Sequence, residues 1–151
     1  MASRYELFSS AISSIYHDIQ RIERTEMARF GLKGPHAQCL VALNRYPEGI
    51  TAARLCEVCE KDKAAVSRII AELEEEGMVT RDSQGGSRYR AGLMLTAKGA
   101  AAAQAVLQTA DLAVKQASKD IGEQEQVLFY SIMTKVAGNL HGICKDGLKK
   151  D

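Results

Sequence analysis

Tyr5, Phe8, Ile12, Ile15, Ile19 and Ile22 recur at alternating spacings of three and four residues, with Ser, Asp, Gln, Arg and Glu between them. That period predicts a helix with one continuous apolar stripe, running to about Phe30 and stopping at Gly31. A stripe this regular, ahead of any element able to cover it, calls for another helix or another subunit. Pro35 opens a second helix to about Arg45, with Leu40, Val41 and Leu43 on its apolar side, and Tyr46-Pro47-Glu48-Gly49 ends it. Thr51 is placed to cap a short helix through about Cys59, whose inward residues are read as Ala53, Leu55, Cys56 and Val58. After the turn Glu60-Lys61, Asp62 is the N-cap of a further helix from Lys63 to about Glu76, closed by Gly77.

That further helix separates its faces. Val66, Ile69, Ile70 and Leu73 follow the i, i+3, i+4, i+7 rule and are expected in the core, while Ala64, Ser67, Arg68 and Ala71 fall on the opposite side. The exposed side starts small and basic and turns acidic at Glu72 and Glu74 to Glu76. Beyond Gly77 the period changes. Met78 to Arg81 reads as a short strand, residues 82–87 as a turn cluster and Arg88 to Leu95 as the return strand of a hairpin. Arg88 and Arg90, two residues apart, share one face of it. Thr96 then caps an Ala-rich helix to about Ile121, and a last helix from about Glu123 to Lys145 carries Leu128, Ile132, Val136, Leu140 and Ile143 at helical spacing.

The 151 residues suffice for one compact unit that needs neither disulfides nor a metal to hold its core. The expectation is a mainly α fold with a small β-hairpin wing. No run approaches the roughly 18 apolar residues of a membrane span, and the start MASRYELFSS lacks the apolar core of a signal peptide. A cytoplasmic protein without membrane contact is expected, with Cys39, Cys56, Cys59 and Cys144 as free thiols.

Two short helices joined by a tight turn and followed by a hairpin form a winged helix-turn-helix. The second helix of such a pair fits the major groove of double-stranded DNA, and the hairpin can reach the neighbouring minor groove. Lys63, Ala64, Ser67 and Arg68 are the candidate groove-reading residues, because small side chains allow close approach and Arg can bond bidentately to guanine or phosphate. Arg54 is a candidate phosphate contact and Arg88 with Arg90 the candidate wing contacts. From Thr51 to Gly99 eight Lys and Arg face eight Asp and Glu. Binding to DNA therefore requires that the charges be segregated. A neutral module also suits the alternative, a winged-helix protein–protein interaction module that does not bind DNA.

The stretches GITAARLCEVCEKDKAAVSRIIAELEEEGMVTR and RAGLMLTAKG, with the closure Leu95-Thr96-Ala97-Lys98-Gly99, resemble the MarR family of winged helix-turn-helix transcriptional regulators. The flanking helices match the family's plan as well. The resemblance implies an N-terminal dimerisation helix in residues 1–30, a DNA-binding module in 31–99 and C-terminal dimerisation helices in 100–151, together one intertwined domain. It implies a homodimer that binds a pseudo-palindromic operator as a repressor and is relieved by a small-molecule or redox effector. A small aromatic or phenolic acid is the effector class, with Tyr16, His17, Arg21 and His36 as candidate lining residues. Many members carry Asp-x-Arg at the wing. Ser87-Arg88-Tyr89-Arg90 stands there in this chain, which leaves the wing arginine as either Arg88 or Arg90.

Other chemistry is weaker. Cys56-x-x-Cys59 with His141-x-x-Cys144 has four zinc-type ligands, but it lacks a Gly- or Pro-rich knuckle and lies on separate predicted helices, so small apolar fillers are the expected role and no metal is expected. Cys39 and Cys144 are the candidate redox thiols, although neither has adjacent cations at an exposed helix N-terminus. No nucleophile elbow, phosphate-cradling Gly loop, paired catalytic carboxylates or His-Glu-x-x-His motif is present, so neither enzyme activity nor a cofactor is expected.

Overall fold

A computed structural model describes residues 1–82 and 92–149 of the chain. Within them lie six helices and two strands: α1 (Arg4–Ala28), α2 (Gly34–Asn44), α3 (Ala52–Cys59), α4 (Lys63–Glu75), β1 (Val79–Arg81), β2 (Leu93–Leu95), α5 (Ala97–Ala117) and α6 (Glu123–Asp146). The chain divides into two compact units, Met1–Asp111 and Leu112–Asp151.

The core of the first unit forms around α2. His36, Ala37, Cys39, Leu40, Ala42 and Leu43 are all buried, because α2 packs against α1, α3, α4 and β2 rather than presenting a single apolar side. Leu55 of α3, Val66, Ile69, Ile70 and Leu73 of α4, and Met78, Val79 and Leu93 of the hairpin complete the core with Met27, Ala102, Ala103 and Val106. The expected inward face of α4 is therefore the observed one. On α3 the expectation needs correction at one position: Ala53 is exposed. The helix begins at Ala52, and its inward stripe consists of buried Leu55 with Ala52, Cys56 and Cys59 half-buried around it and Val58 beside it, which turns Ala53 outward.

Helix ends follow local chemistry. Ser3 and Glu6 form a reciprocal capping box at the start of α1. The Leu32 N–H bonds the Met27 carbonyl (2.9 Å) across Gly31, whose φ of +69° suits only glycine without strain. The same wrap closes α4, where the Met78 N–H reaches the Leu73 carbonyl (2.8 Å) across Gly77.

The strands pair antiparallel in the register Val79–Leu95, Thr80–Met94, Arg81–Leu93. An additional bridge, Ile50 with Leu93, ties the loop before α3 to β2. Gly49 and Gly92 make that approach possible, since a side chain on Gly49 would meet the Gly92 backbone. The part of the return strand expected from Arg88 to Ala91 lies outside the described residues.

In the second unit, α5 ends at Ala117, four residues short of its expected end. The Gln126 side-chain amide donates to the Ser118 and Ile121 carbonyls (3.3 and 2.8 Å), so those groups are satisfied from outside and the chain turns. On α6 Leu128, Ile132, Leu140 and Ile143 are exposed, as are Tyr5, Phe8, Ile15 and Ile19 on α1 of the first unit.

Candidate nucleic-acid interface

Asp62 begins the interface. Its Oδ1 accepts the Ala65 N–H at 2.8 Å, satisfying one of the free donors at the start of α4. Thr51 does the same for α3 by accepting the Arg54 N–H at 3.2 Å. Between the helices Glu60 sits at φ 51°, the one non-glycine residue with a positive φ among those described. The Lys61 N–H returns to the Cys56 carbonyl (3.1 Å), which turns the chain from α3 into α4 within three residues.

This turn sets the outer face of α4. Lys63, Ala64, Ser67, Arg68 and Ala71 are exposed, with Val66, Ile69, Ile70 and Leu73 buried behind them. Lys63, Ser67 and Ala71 line a groove of about 690 Å³ whose other walls include Ala52, Ala53 and Cys56 of α3 and Arg81 of β1. Ala53, expected in the core, thus lies in the wall of this groove. Among the described residues Arg68 has no ion-pair partner. Arg54 is committed within α3 to Glu57 at 2.6 Å, and this contact raises the guanidinium pKa further above its ordinary value.

Two of the acids on α4, Glu72 and Glu74, are held in contacts of the fold. Glu72 accepts from His36 Nε2 at 2.6 Å and from Lys33 Nζ at 3.2 Å, and the His36 contact, followed by Lys33, holds its carboxyl below the usual range. Glu74 accepts from Arg81 Nε at 2.7 Å. On α4 the small and basic side chains Lys63, Ala64, Ser67 and Arg68 therefore lie on the first turns, and two of the later carboxylates are occupied by His36, Lys33 and Arg81.

The hairpin is fixed to the end of α4 by Thr96. Its hydroxyl donates to the Gly77 carbonyl (2.6 Å) and accepts the Gly99 N–H (3.1 Å), while its own N–H bonds the Met78 carbonyl (2.9 Å). The Lys98 ammonium donates to the Glu76 carbonyl at 2.9 Å. Thr96 was legible as a helix cap, but its hold on Gly77 across the hairpin was not. Arg88 and Arg90, the expected wing residues, lie outside the described residues.

Among the described residues, the cavities that Tyr16 and His36 line are different ones. Tyr16 lines a cleft of about 500 Å³ with Arg45, Lys61 and Leu107. His36 borders a different one, of about 370 Å³, with Arg68 and Glu72. His17 and Arg21 are exposed and line neither. Of the candidate redox thiols Cys39 is buried and Cys144 exposed. Cys39 also has a partner that sequence reasoning missed, Cys59, with the two sulfurs 3.8 Å apart. Among the described residues no group of three or more His, Cys, Asp or Glu is placed to hold a metal ion, and no helix is long and apolar enough to cross a membrane.

The MarR family model matches residues 30–88. Solved structures match over nearly the whole chain. A MarR-family regulator from Listeria monocytogenes, in complex with a 26mer DNA, is 21% identical with a TM-score of 0.81, covering 100% of this chain and 99% of that one. The Staphylococcus aureus MepR–DNA complex is 18% identical with a TM-score of 0.78, covering 91% and 99%. A MarR transcriptional regulator from Methanosarcina mazei is 23% identical with a TM-score of 0.76, covering 90% and 98%. No curated protein matches the chain.

Proposed function

We propose that this chain is a member of the MarR family and a cytoplasmic, homodimeric, sequence-specific DNA-binding transcriptional regulator, acting as a repressor at a pseudo-palindromic operator; the match over residues 30–88 and the likeness of fold support the reading. The observation that carries the reading is the outer face of α4. Lys63, Ala64, Ser67 and Arg68 stand exposed on its first turns over a buried apolar face, the arrangement a helix needs to enter a major groove. In this reading Arg68 contacts a base edge or phosphate and Lys63 a phosphate near the helix N-terminus. Arg54 reaches the backbone by exchanging Glu57 for a phosphate, and Arg88 or Arg90 serves the wing. Two similar proteins were solved with DNA bound.

Dimerisation follows from the apolar stripes. Phe8, Ile15 and Ile19 on α1 and Leu128, Ile132 and Leu140 on α6 are exposed in the single chain, and a row of large apolar side chains along a helix suits a protein–protein contact. A second copy places two α4 helices in successive major grooves. Relief by a small aromatic acid belongs to the same proposal. The cleft beside Tyr16 is of ligand size, and its wall offers a carboxylate the cations Arg45 and Lys61, beside the acids Glu23 and Glu60.

Selection of bound duplexes from a random DNA library by the purified protein tests the reading. A recovered near-palindrome supports it. A folded, dimeric protein that enriches no sequence, also after any co-purified ligand has been removed, overturns it in favour of the protein-binding alternative.

A further inference from the structure

Cys39 and Cys59 bring two thiols together from different helices. Their sulfurs are 3.8 Å apart, where a disulfide requires about 2.05 Å. Cys39 is completely buried on α2, whereas Cys59, in the last turn of α3, is half-buried and lines the cleft it shares with Val58 and Lys61. Cys56 also lies on α3 but opens into the groove beside Ser67 of α4. The Cys56-x-x-Cys59 spacing therefore divides the two thiols between different surroundings and leaves Cys59 to pair with Cys39. The Cys59 sulfur also stands 4.0 Å from the Gln38 carbonyl. The two thiols differ in character. The hydrogen bond from Cys39, helped by the charge of Lys61, lowers the Cys59 pKa, while that bond and burial raise Cys39 far above the ordinary thiol range.

We infer that Cys39 and Cys59 are an oxidisable pair, with Cys59 the reacting thiol and Cys39 the resolving one, and that a hydroperoxide converts them to an intramolecular disulfide between α2 and α3. The Cys59 thiolate attacks the peroxide oxygen, forming an S–O bond as the O–O bond breaks, and the alcohol leaves after taking a proton. The Cys39 sulfur then attacks the Cys59 sulfur. The S–S bond forms, the S–O bond breaks, and the departing hydroxide takes the Cys39 proton as water. Two thiols are oxidised, and one hydroperoxide is reduced to an alcohol and water. Closing the gap draws the end of α3 toward α2. Because Glu60 and Lys61 follow Cys59 directly, this displaces the turn that orients α4. That last consequence rests on the proposed DNA-binding role, whereas the bond itself does not.

The test treats the reduced full-length protein with cumene hydroperoxide, alkylates the remaining thiols and maps them by mass spectrometry. The expected product has lost the mass of two hydrogens, keeps Cys144 alkylatable, and contains a dithiothreitol-reversible crosslink between the peptides holding Cys39 and Cys59. Because Cys56 shares the Cys59 peptide, the Cys56→Ser variant must retain that crosslink. Cys39→Ala must instead carry Cys59 to a sulfinic acid, since its resolving partner is gone. A Cys56–Cys59 link, or Cys39 and Cys59 both still alkylatable after Cys144 has been oxidised, overturns the inference. If a variant fails to fold, fragmentation of the crosslinked wild-type peptide between Cys56 and Cys59 locates the bond and decides. Oxidised and reduced protein are then compared on a selected duplex. Loss of DNA binding on oxidation supports the coupling, and unchanged binding by a confirmed disulfide form rejects it. If the reduced protein binds no duplex, the regulatory reading fails while the crosslink result stands.

Discussion

His36 Nε2 lies 2.6 Å from Glu72 Oε2, joining the first turn of α2 to the helix that carries the candidate groove-reading residues. The His36 Nδ1 accepts the Lys33 N–H at 3.0 Å, which leaves Nε2 as the protonated nitrogen that donates to Glu72. One buried ring thus caps α2 and holds α4 in place.

Removing that ring is expected to destabilise the fold. His36→Ala strands the Lys33 N–H and deprives Glu72 of its nearest donor, with an expected cost of about 1–3 kcal/mol in denaturant unfolding. An unchanged midpoint would mean that the contact does not contribute to stability.

Glu72 links the same contact to pH. Its carboxyl is held lower in the folded chain than in the unfolded one, first by His36 and then by Lys33. It ionises more readily when folded, so its contribution is fully present above the ordinary carboxylate range and is lost as the pH falls through and below that range. Glu72→Gln should flatten the acid limb of the stability curve while leaving its dependence near neutrality unchanged. Superimposable wild-type and variant curves in acid would refute the assignment.

Gly99 marks a tighter constraint. A Cβ built there overlaps the Met78 carbonyl oxygen and lies 3.2 Å from a Leu95 methyl. Backbone rather than a flexible side chain blocks it, so Gly99→Ala must push the start of α5 away from the α4–β1 turn. The expected loss is about 1–3 kcal/mol, despite the better helix propensity of Ala. A stabilised variant in thermal unfolding would rule this out.

Elements whose reason lies within a few residues were legible in the sequence. Asp62 and Thr51 cap as their positions predict, Gly31 and Gly77 end α1 and α4, and Val66, Ile69, Ile70 and Leu73 occupy the core. What escaped depends on contacts distant along the chain. His36 gives no local sign of meeting Glu72, nor Cys39 of meeting Cys59, and Ile50 pairs with Leu93 only once the hairpin exists. The Ala53 error has a different origin. Both Ala52 and Ala53 suit the inside of a short helix by composition, and only the phase set by Leu55 and Cys59 separates them.

Arg68 carries the most direct prediction about DNA. On a selected duplex Arg68→Ala should lose about 1–3 kcal/mol of specific binding, roughly tenfold or more in affinity. Wild-type binding should also weaken steeply with salt, as phosphate contacts release counterions. Wild-type affinity in Arg68→Ala would remove this residue from the interface and leave Lys63 and Ser67 to carry the face.

Association should depend on the apolar stripes. Phe8 and Ile15 are 43% and 48% exposed and Leu128 and Leu140 are 59% and 45% exposed in the single chain, and burying the exposed half of each such side chain contributes about 1 kcal/mol in each subunit. A glutamate at Ile15 or at Leu140 forfeits that burial and places a charge in the contact. The dimer dissociation constant should therefore rise by at least about tenfold in sedimentation equilibrium. The wild-type melting temperature should climb with protein concentration, because the partner chain stabilises the folded state by mass action, and that dependence should flatten in both variants at concentrations below their raised dissociation constants. The winged-helix segment retains its own core around α2, so circular dichroism of either variant should still report helix. A wild-type protein that sediments as a monomer at every concentration would remove the dimer from the proposal, and with it the expectation of a palindromic site.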